Sequence, residues 1–274
     1  MSTRERDPDP DNSPGPTRQG YDAAFRALNQ GGRVMTDCYL AAFGDDALIG
    51  ADPFSAIALS ELRWLLETAR LTAGQIVVDL GCGRGGPGLV AARLTDVRLI
   101  GVDFSLVGVA AATARAAESG VAPLPLYVGC DARALPFPDH SIDAFMSIDV
   151  LQLIPDRELV FQEVARVLRP GGPLAFSSWE RTADDERVPP KMRRVPRDYT
   201  ELVGRNHLRM KALEISEKSH QRSEAFWSNV TASADEIRNE LGEEVASEIL
   251  DEASRMGVFL AASRRVLCVA HSSS

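Results

Sequence analysis

At residues 77–89 an apolar run, Val77-Val78-Asp79-Leu80, passes directly into Gly81-Cys82-Gly83-Arg84-Gly85-Gly86-Pro87-Gly88-Leu89. A buried strand that turns through glycines into a helix constrains the chain strongly, because glycine allows a tight turn and a close backbone approach to a ligand that a side chain would block. The same rhythm continues downstream. Apolar runs at residues 75–80, 98–103, 124–130, 142–148, 173–178, 209–217 and 265–270 read as strands, with helical patterns at 88–94, 107–119 and 157–168 between the earlier ones. Such alternation predicts an α/β fold in which a doubly wound, seven-stranded, mostly parallel sheet carries helices on both faces.

The flanking segments read differently. Residues 1–20 are polar and rich in proline and aspartate, the composition of a disordered start with no signal-peptide core. Residues 21–70 show helical periodicity broken at Gly31-Gly32, Gly44-Asp45-Asp46 and Asp52-Pro53, which predicts a helical cap. The domain proper is expected over 71–274. Within it, the charged stretch 180–197 reads as a surface loop, 198–203 as a short helix, and 223–241 and 243–260 as two helices forming a lid insertion over 218–262.

A net charge of −9 argues against a nucleic-acid partner, since phosphate backbones select basic surfaces. No apolar run is long enough to cross a bilayer. The four cysteines, Cys38, Cys82, Cys130 and Cys268, are scattered without metal-ligand spacing, so no metal is expected and they read as free thiols of a cytoplasmic protein. A small-molecule substrate and, as a further option, a homo-oligomer fit this composition.

The glycine loop also satisfies the dinucleotide pattern at Gly83, Gly85 and Gly88, so a nicotinamide-dependent oxidoreductase competes with other nucleotide-like ligands. An aspartate two residues before the first glycine favours a ligand carrying an ammonium group over a pyrophosphate, because anions prefer backbone amides and positive potential. Asp103, ending the second strand, can accept both hydroxyls of a ribose in either class. Asp79, Asp103, Asp131 and Asp149 all fall at or near the carboxyl ends of successive strands, which is the ligand edge of an open sheet.

Four segments in order, Asp79-Leu80-Gly81-Cys82-Gly83, Gly101-Val102-Asp103-Phe104-Ser105, Cys130-Asp131-Ala132-Arg133-Ala134-Leu135-Pro136-Phe137 and the stretch from Glu163 to Leu174, resemble those of class I S-adenosylmethionine-dependent methyltransferases. The resemblance implies a Rossmann-like methyltransferase fold with S-adenosylmethionine as cofactor. It implies that Asp79, Gly81, Cys82 and Gly83 form the cofactor loop, that Asp103 holds the ribose, that Phe104 flanks the adenine with Ser105 among the cofactor-binding residues, and that Asp131 and Ala132 read its ring. Ser147 and Gln152 belong to the segment that passes beside the transferred methyl in similar enzymes. The cap and insertion resemble bacterial small-molecule methyltransferases, including those of natural-product pathways. A non-catalytic binder of the same cofactor, acting as a sensor or scaffold, is the rival from another class.

Transfer of a sulfonium methyl is an in-line displacement, so holding the acceptor close is most of the task, with a base to help where a proton must leave. Asp149, after the fourth strand, Glu180, after the fifth, and His220, after the sixth, are the candidates, and Asp149 and His220 are preferred. Tyr21, Tyr39 and Phe54 of the cap, with Trp179, Tyr199 and Trp227 further on, are expected to wall an acceptor pocket.

Overall fold

The computed structural model describes residues 17–29, 33–49, 56–188 and 190–273. Three helices lead, α1 (Arg18–Asn29), α2 (Val34–Phe43) and α3 (Leu59–Thr68), followed by β1 (Ile76–Leu80), α4 (Gly86–Thr95), β2 (Arg98–Asp103), α5 (Leu106–Ser119), β3 (Leu126–Gly129) and β4 (Ala144–Ile148). Then come α6 (Arg157–Val167), β5 (Pro173–Arg181), α7 (Pro190–Arg193), α8 (Tyr199–Arg205), β6 (Leu208–Ile215), α9 (Glu217–Ala232), α10 (Ala234–Leu241), α11 (Glu243–Ala261) and β7 (Ser263–Ser272).

The seven strands form one sheet in the order β3-β2-β1-β4-β5-β7-β6. The first five run parallel, and β7 is antiparallel to both β5 and β6. Central strands are covered on both faces, which is why β4, Ala144–Ile148, is apolar apart from Ser147 and buried throughout. Strand order reverses between β1 and β4. At such a reversal the connections leave on opposite faces and a crevice opens at the carboxyl edge.

Register then fixes what meets there. Asp79 pairs with Gly101 and Asp103 with Gly129, while Ile148 pairs with Ser177. Because Arg265 pairs with Trp179 and Ile215 with Val266, the end of β6 and the start of β7 lie at the same edge. The insertion α9–α11 therefore emerges over the ligand edge. It packs against the N-terminal segment: α2 meets α9 and α10, and α1 meets α10 and α11. Helix α3 instead touches β5, β7 and α4, so it belongs to the layer covering the sheet.

Several boundaries differ from the sequence reading for physical reasons. Strand β5 runs to Arg181, beyond the expected 173–178, because β7 pairs along its whole length. Strand β6 ends at Ile215 and carries an irregularity between Met210 and Ala212. The insertion holds three helices rather than two. The first starts at Glu217 and stops at Ala232, and Ser233 joins it to α10. That earlier start turns Ser219 and Ser223 inward and carries His220 on a helix rather than on a strand exit.

On the face carrying α6 and α8, Phe176 of β5 meets Phe161 and Tyr199 with ring centroids 6.0 and 5.1 Å away. Tyr199 is fully buried with its hydroxyl 2.7 Å from Ser178 Oγ. Replacing Phe176 by Ala removes the ring at the centre of this cluster and is expected to cost about 3–5 kcal/mol. Urea unfolding followed by circular dichroism checks it.

Candidate functional site

The crevice at the strand reversal is built around two buried carboxylates from adjacent strands, Asp79 of β1 and Asp103 of β2. Asp103 Oδ2 accepts from the Gly83 N–H at 2.9 Å and Oδ1 from the Ser105 N–H at 2.8 Å. The glycine loop is pinned from the other side as well, since Gly81 and Cys82 both donate to Val102 O, at 2.8 and 3.0 Å. Gly81 has φ +74°, and a Cβ there would lie 2.4 Å from Val150 Cγ2, so no other residue fits without displacing Val150. At Gly88 a Cβ would lie 2.4 Å from Asp79 Oδ2. The third glycine of the literal dinucleotide pattern thus makes room for an acid.

Asp79 Oδ2 is buried and has no hydrogen-bond partner. Burial pushes its carboxyl up to about 7, the neighbouring Asp103 adds to the shift, and the Gly88 amide draws part of it back. Asp103 is raised by burial, with the Ser105, Gly83 and Phe104 amides opposing. Cys82, buried beneath the loop, has its thiol pushed up by desolvation and by the same two acids. An orphaned buried oxygen beside a second carboxylate is a place for a cation or a hydrogen-bond donor to bind.

Helix α1 lies over this crevice. Ser105, which caps α5 by accepting from the Gly108 N–H at 3.1 Å, donates to Asp22 Oδ1 at 2.5 Å. Arg18 Nε donates to Phe104 O at 2.6 Å. Tyr21 meets the Phe104 ring edge-on at 5.6 Å between centroids, and the Phe25 ring lies against Gly83 and Gly108. Of these α1 residues the sequence reading named only Tyr21.

Asp131 departs from its expected surroundings. It is half exposed and paired with Arg133, which bonds both its oxygens at 2.7–3.2 Å. That hydrogen-bonded guanidinium holds its carboxyl below the usual range. Ala132, beside it, is half-buried. Ser147 is fully buried and donates to Leu80 O at 3.1 Å, binding β4 to β1 within the sheet rather than facing the crevice.

Beside the crevice, at the ends of β4 and β5, opens a cavity of about 500 Å³. Asp149, Gln152 and Trp179 form its floor, with Tyr21 on one wall and Trp227 and Phe259 on another. Gln152 is fixed by donating to Asp149 O and accepting from Ser178 Oγ, both at 2.9 Å. Tyr21 joins the two spaces. Its phenol is pushed up by burial, then by Glu252 of α11 and by Asp103, so it lies within electrostatic reach of both.

Four of the expected acceptor-side residues are placed elsewhere. Tyr39 is core, donating to Ile57 O at 2.7 Å and accepting from the Leu48 N–H at 2.8 Å. Tyr199 is core for the reason given above. His220 does not line the cavity; it faces Glu224 one helical turn on, at 3.4 Å. Glu180 is fully buried between Arg264 and the Tyr199 N–H. Phe54 lies outside the described residues.

Asp149 does line the cavity, but its oxygens are taken. Oδ1 meets Arg265 Nη1 at 2.8 Å and Ser177 Oγ at 3.0 Å, and Oδ2 accepts from the Ala56 N–H at 3.0 Å and Arg265 Nη2 at 3.1 Å. Three hydrogen bonds and the ion-pair contact with Nη1 engage both oxygens and leave little acceptor capacity. This arrangement makes Asp149 a counter-ion and opposes the role of base expected of it. The sequence reading missed its partner, Arg265, because an arginine in a strand otherwise reads as an edge residue.

Comparisons with known proteins bear on the domain and the fold. Residues 78–176 match the family model described as a methyltransferase domain. A 27-O-demethylrifamycin SV methyltransferase of Amycolatopsis mediterranei (strain S699) is 32% identical over 61% of the chain and 59% of that relative. A sterol 24-C-methyltransferase of Eremothecium gossypii is 29% identical over 66% of the chain and 52% of that relative. The chain thus spans little more than half the length of these relatives. Among solved structures, the [4+2]-cyclase SpnF superposes with a TM-score of 0.75 over 95% of the chain and 97% of its own, at 22% identity, a likeness of fold. Residues 78–176 thus match a methyltransferase domain in sequence, and the rest of the chain shares the fold of the solved structure.

The raised Asp79 gives a prediction with an unusual sign. Its folded-state value of about 7 lies above the ordinary 3.8, so between those values the folded protein binds more protons than the unfolded chain. Its contribution therefore lowers stability as pH rises from about 4 to about 7. Urea unfolding of the ligand-free protein across that window is expected to show this decline, and Asp79→Asn to flatten it.

Proposed function

We propose that the protein transfers a methyl group from S-adenosylmethionine to a mainly apolar small molecule bound in the cavity beside the crevice. One observation carries this reading: the buried, partnerless Asp79 Oδ2 stands beside Asp103 at the strand reversal, and a separate cavity begins at the ends of the next two strands. An aminoacyl ammonium suits the first acid and a ribose diol the second, so the residues present fit the cofactor. A pyrophosphate would meet two carboxylates there, which disfavours the nicotinamide alternative.

The bound cofactor supplies a methyl on a positively charged sulfur, already activated for displacement. The chain's own residues hold and enclose the reactants. Asp103 keeps the Gly83 amide in place and would hold the ribose with its remaining acceptor capacity, and α1 closes over the loop through Asp22 and Arg18. Tyr21 stands between the two spaces and Trp179 lines the cavity, and aromatic rings there favour a cationic sulfonium nearby. With Asp149 paired to Arg265 and His220 outside the cavity, proximity and exclusion of water carry the transfer.

About 500 Å³ falls within the range of small-molecule sites and admits a multi-ring or isoprenoid acceptor. The relatives named for a rifamycin and for sterols support that class and a place in natural-product metabolism. No helix among the described residues is long and apolar enough to cross a membrane. A cytoplasmic setting suits the four free thiols.

Calorimetry with S-adenosylhomocysteine tests the cofactor half. Affinity is expected to rise between pH 6 and pH 8 as Asp79 ionises, to lose that rise in Asp79→Asn, and to fall at least tenfold in Asp103→Ala. Transfer of labelled methyl into polycyclic, macrocyclic and isoprenoid alcohols, starting with 27-O-demethylrifamycin SV, tests the rest. Binding of S-adenosylhomocysteine without transfer to any acceptor would favour a non-catalytic binder, and no binding would overturn the reading.

A further inference from the structure

Arg265, on β7, is fully buried, and its guanidinium faces two carboxylates from different parts of the chain. One is Asp149, met by Nη1 and Nη2 at 2.8 and 3.1 Å; the other is Glu61 of α3, whose Oε2 lies 3.7 Å from Nε. Its carbon sits 5.7 Å from the centre of the Trp179 ring. Burial draws the guanidinium's pKa down, but Asp149 and Glu61 together outweigh it and hold the group charged.

Each acid carries the tie outward. Asp149 accepts from the Ala56 N–H and Glu61 from the Ala58 N–H at 3.0 Å each, so the strand of backbone entering α3 is held at both sides of Ile57. Glu61 Oε1 also accepts from Ser216 and from Ser219 Oγ, the latter at 2.5 Å. Those serines are the root of α9, where the insertion leaves the sheet. A single cation thereby joins the cavity floor, one wall and the base of the lid.

We propose that Arg265 is the positioning residue of the acceptor cavity, setting Asp149 and Trp179 directly and the root of α9 through Glu61. The proposal rests on the reading of the cavity as the acceptor site only for its functional meaning; the hub itself is tested without methyl transfer. Only a planar fork can address both carboxylates together, because an ammonium is a point donor. Removing the charge outright would leave two buried carboxylates uncompensated.

Hydrogen exchange on the full chain, with S-adenosylhomocysteine calorimetry beside it, provides the test. In Arg265→Lys, amides of 56–58, 150–153 and 216–220 are expected to exchange at least tenfold faster. Those of 76–80 and 98–103 keep their rates, and S-adenosylhomocysteine affinity stays within twofold. If Arg265→Lys fails to fold, the neutral set Arg265→Met/Asp149→Asn/Glu61→Gln leaves no uncompensated charge in this cluster and is expected to show the same local pattern. Unchanged exchange in the three segments would overturn the proposal. A uniform rise across the sheet would do so too, marking Arg265 as an ordinary core residue. Failure of the wild-type protein to bind S-adenosylhomocysteine would instead strike the proposed function and leave the exchange result to stand by itself.

Discussion

Two like charges held side by side out of water, Asp79 and Asp103, are the constraint around which the crevice is organised. Neighbouring parallel strands in register bring them together, and desolvation raises both carboxyls. The glycine loop answers that cost with backbone amides. Gly83 donates to Asp103, Gly88 leaves the space that Asp79 occupies, and Gly81 turns the chain where any side chain would strike Val150. A site that buries anionic charge and leaves one oxygen without a donor is prepared for a positively charged ligand.

The sheet separates two tasks along one edge. The β1 and β2 ends hold the acids and the loop, and the β4 and β5 ends open into the cavity. Tyr21 lies between them, close enough to Asp103 and Glu252 for both to perturb it. The half containing the cavity has its own buried electrostatics in Arg265, Asp149 and Glu61. There the charges are opposite and paired with each other. One set of acids is left without a counter-ion, whereas the other is given one by the protein.

Much of the fold was legible because parallel strands buried on both faces read as apolar runs, and β2 matches its expected range, 98–103, residue for residue. The loop was legible because strand, glycines and helix follow in sequence order. Edges of elements set by pairing were less so, as β5 shows by following β7 to Arg181. The acceptor side was hardest to read. Aromatic residues on amphipathic helices look alike whether they face a cavity, as Trp227 does, or the core, as Tyr39 does. The pairing of Asp149 could not be inferred, since its donors come from positions 56, 177 and 265. No local pattern links those residues; only the antiparallel return of β7 brings the last of them to the site.

The most direct measurement of the central claim is a crystal structure with S-adenosylhomocysteine bound. The account predicts the amino group at Asp79, the ribose at Asp103, and the sulfur turned toward Tyr21 and the cavity above Asp149 and Trp179. A sulfur directed away from that cavity, or a ligand seated elsewhere on the sheet edge, would contradict it.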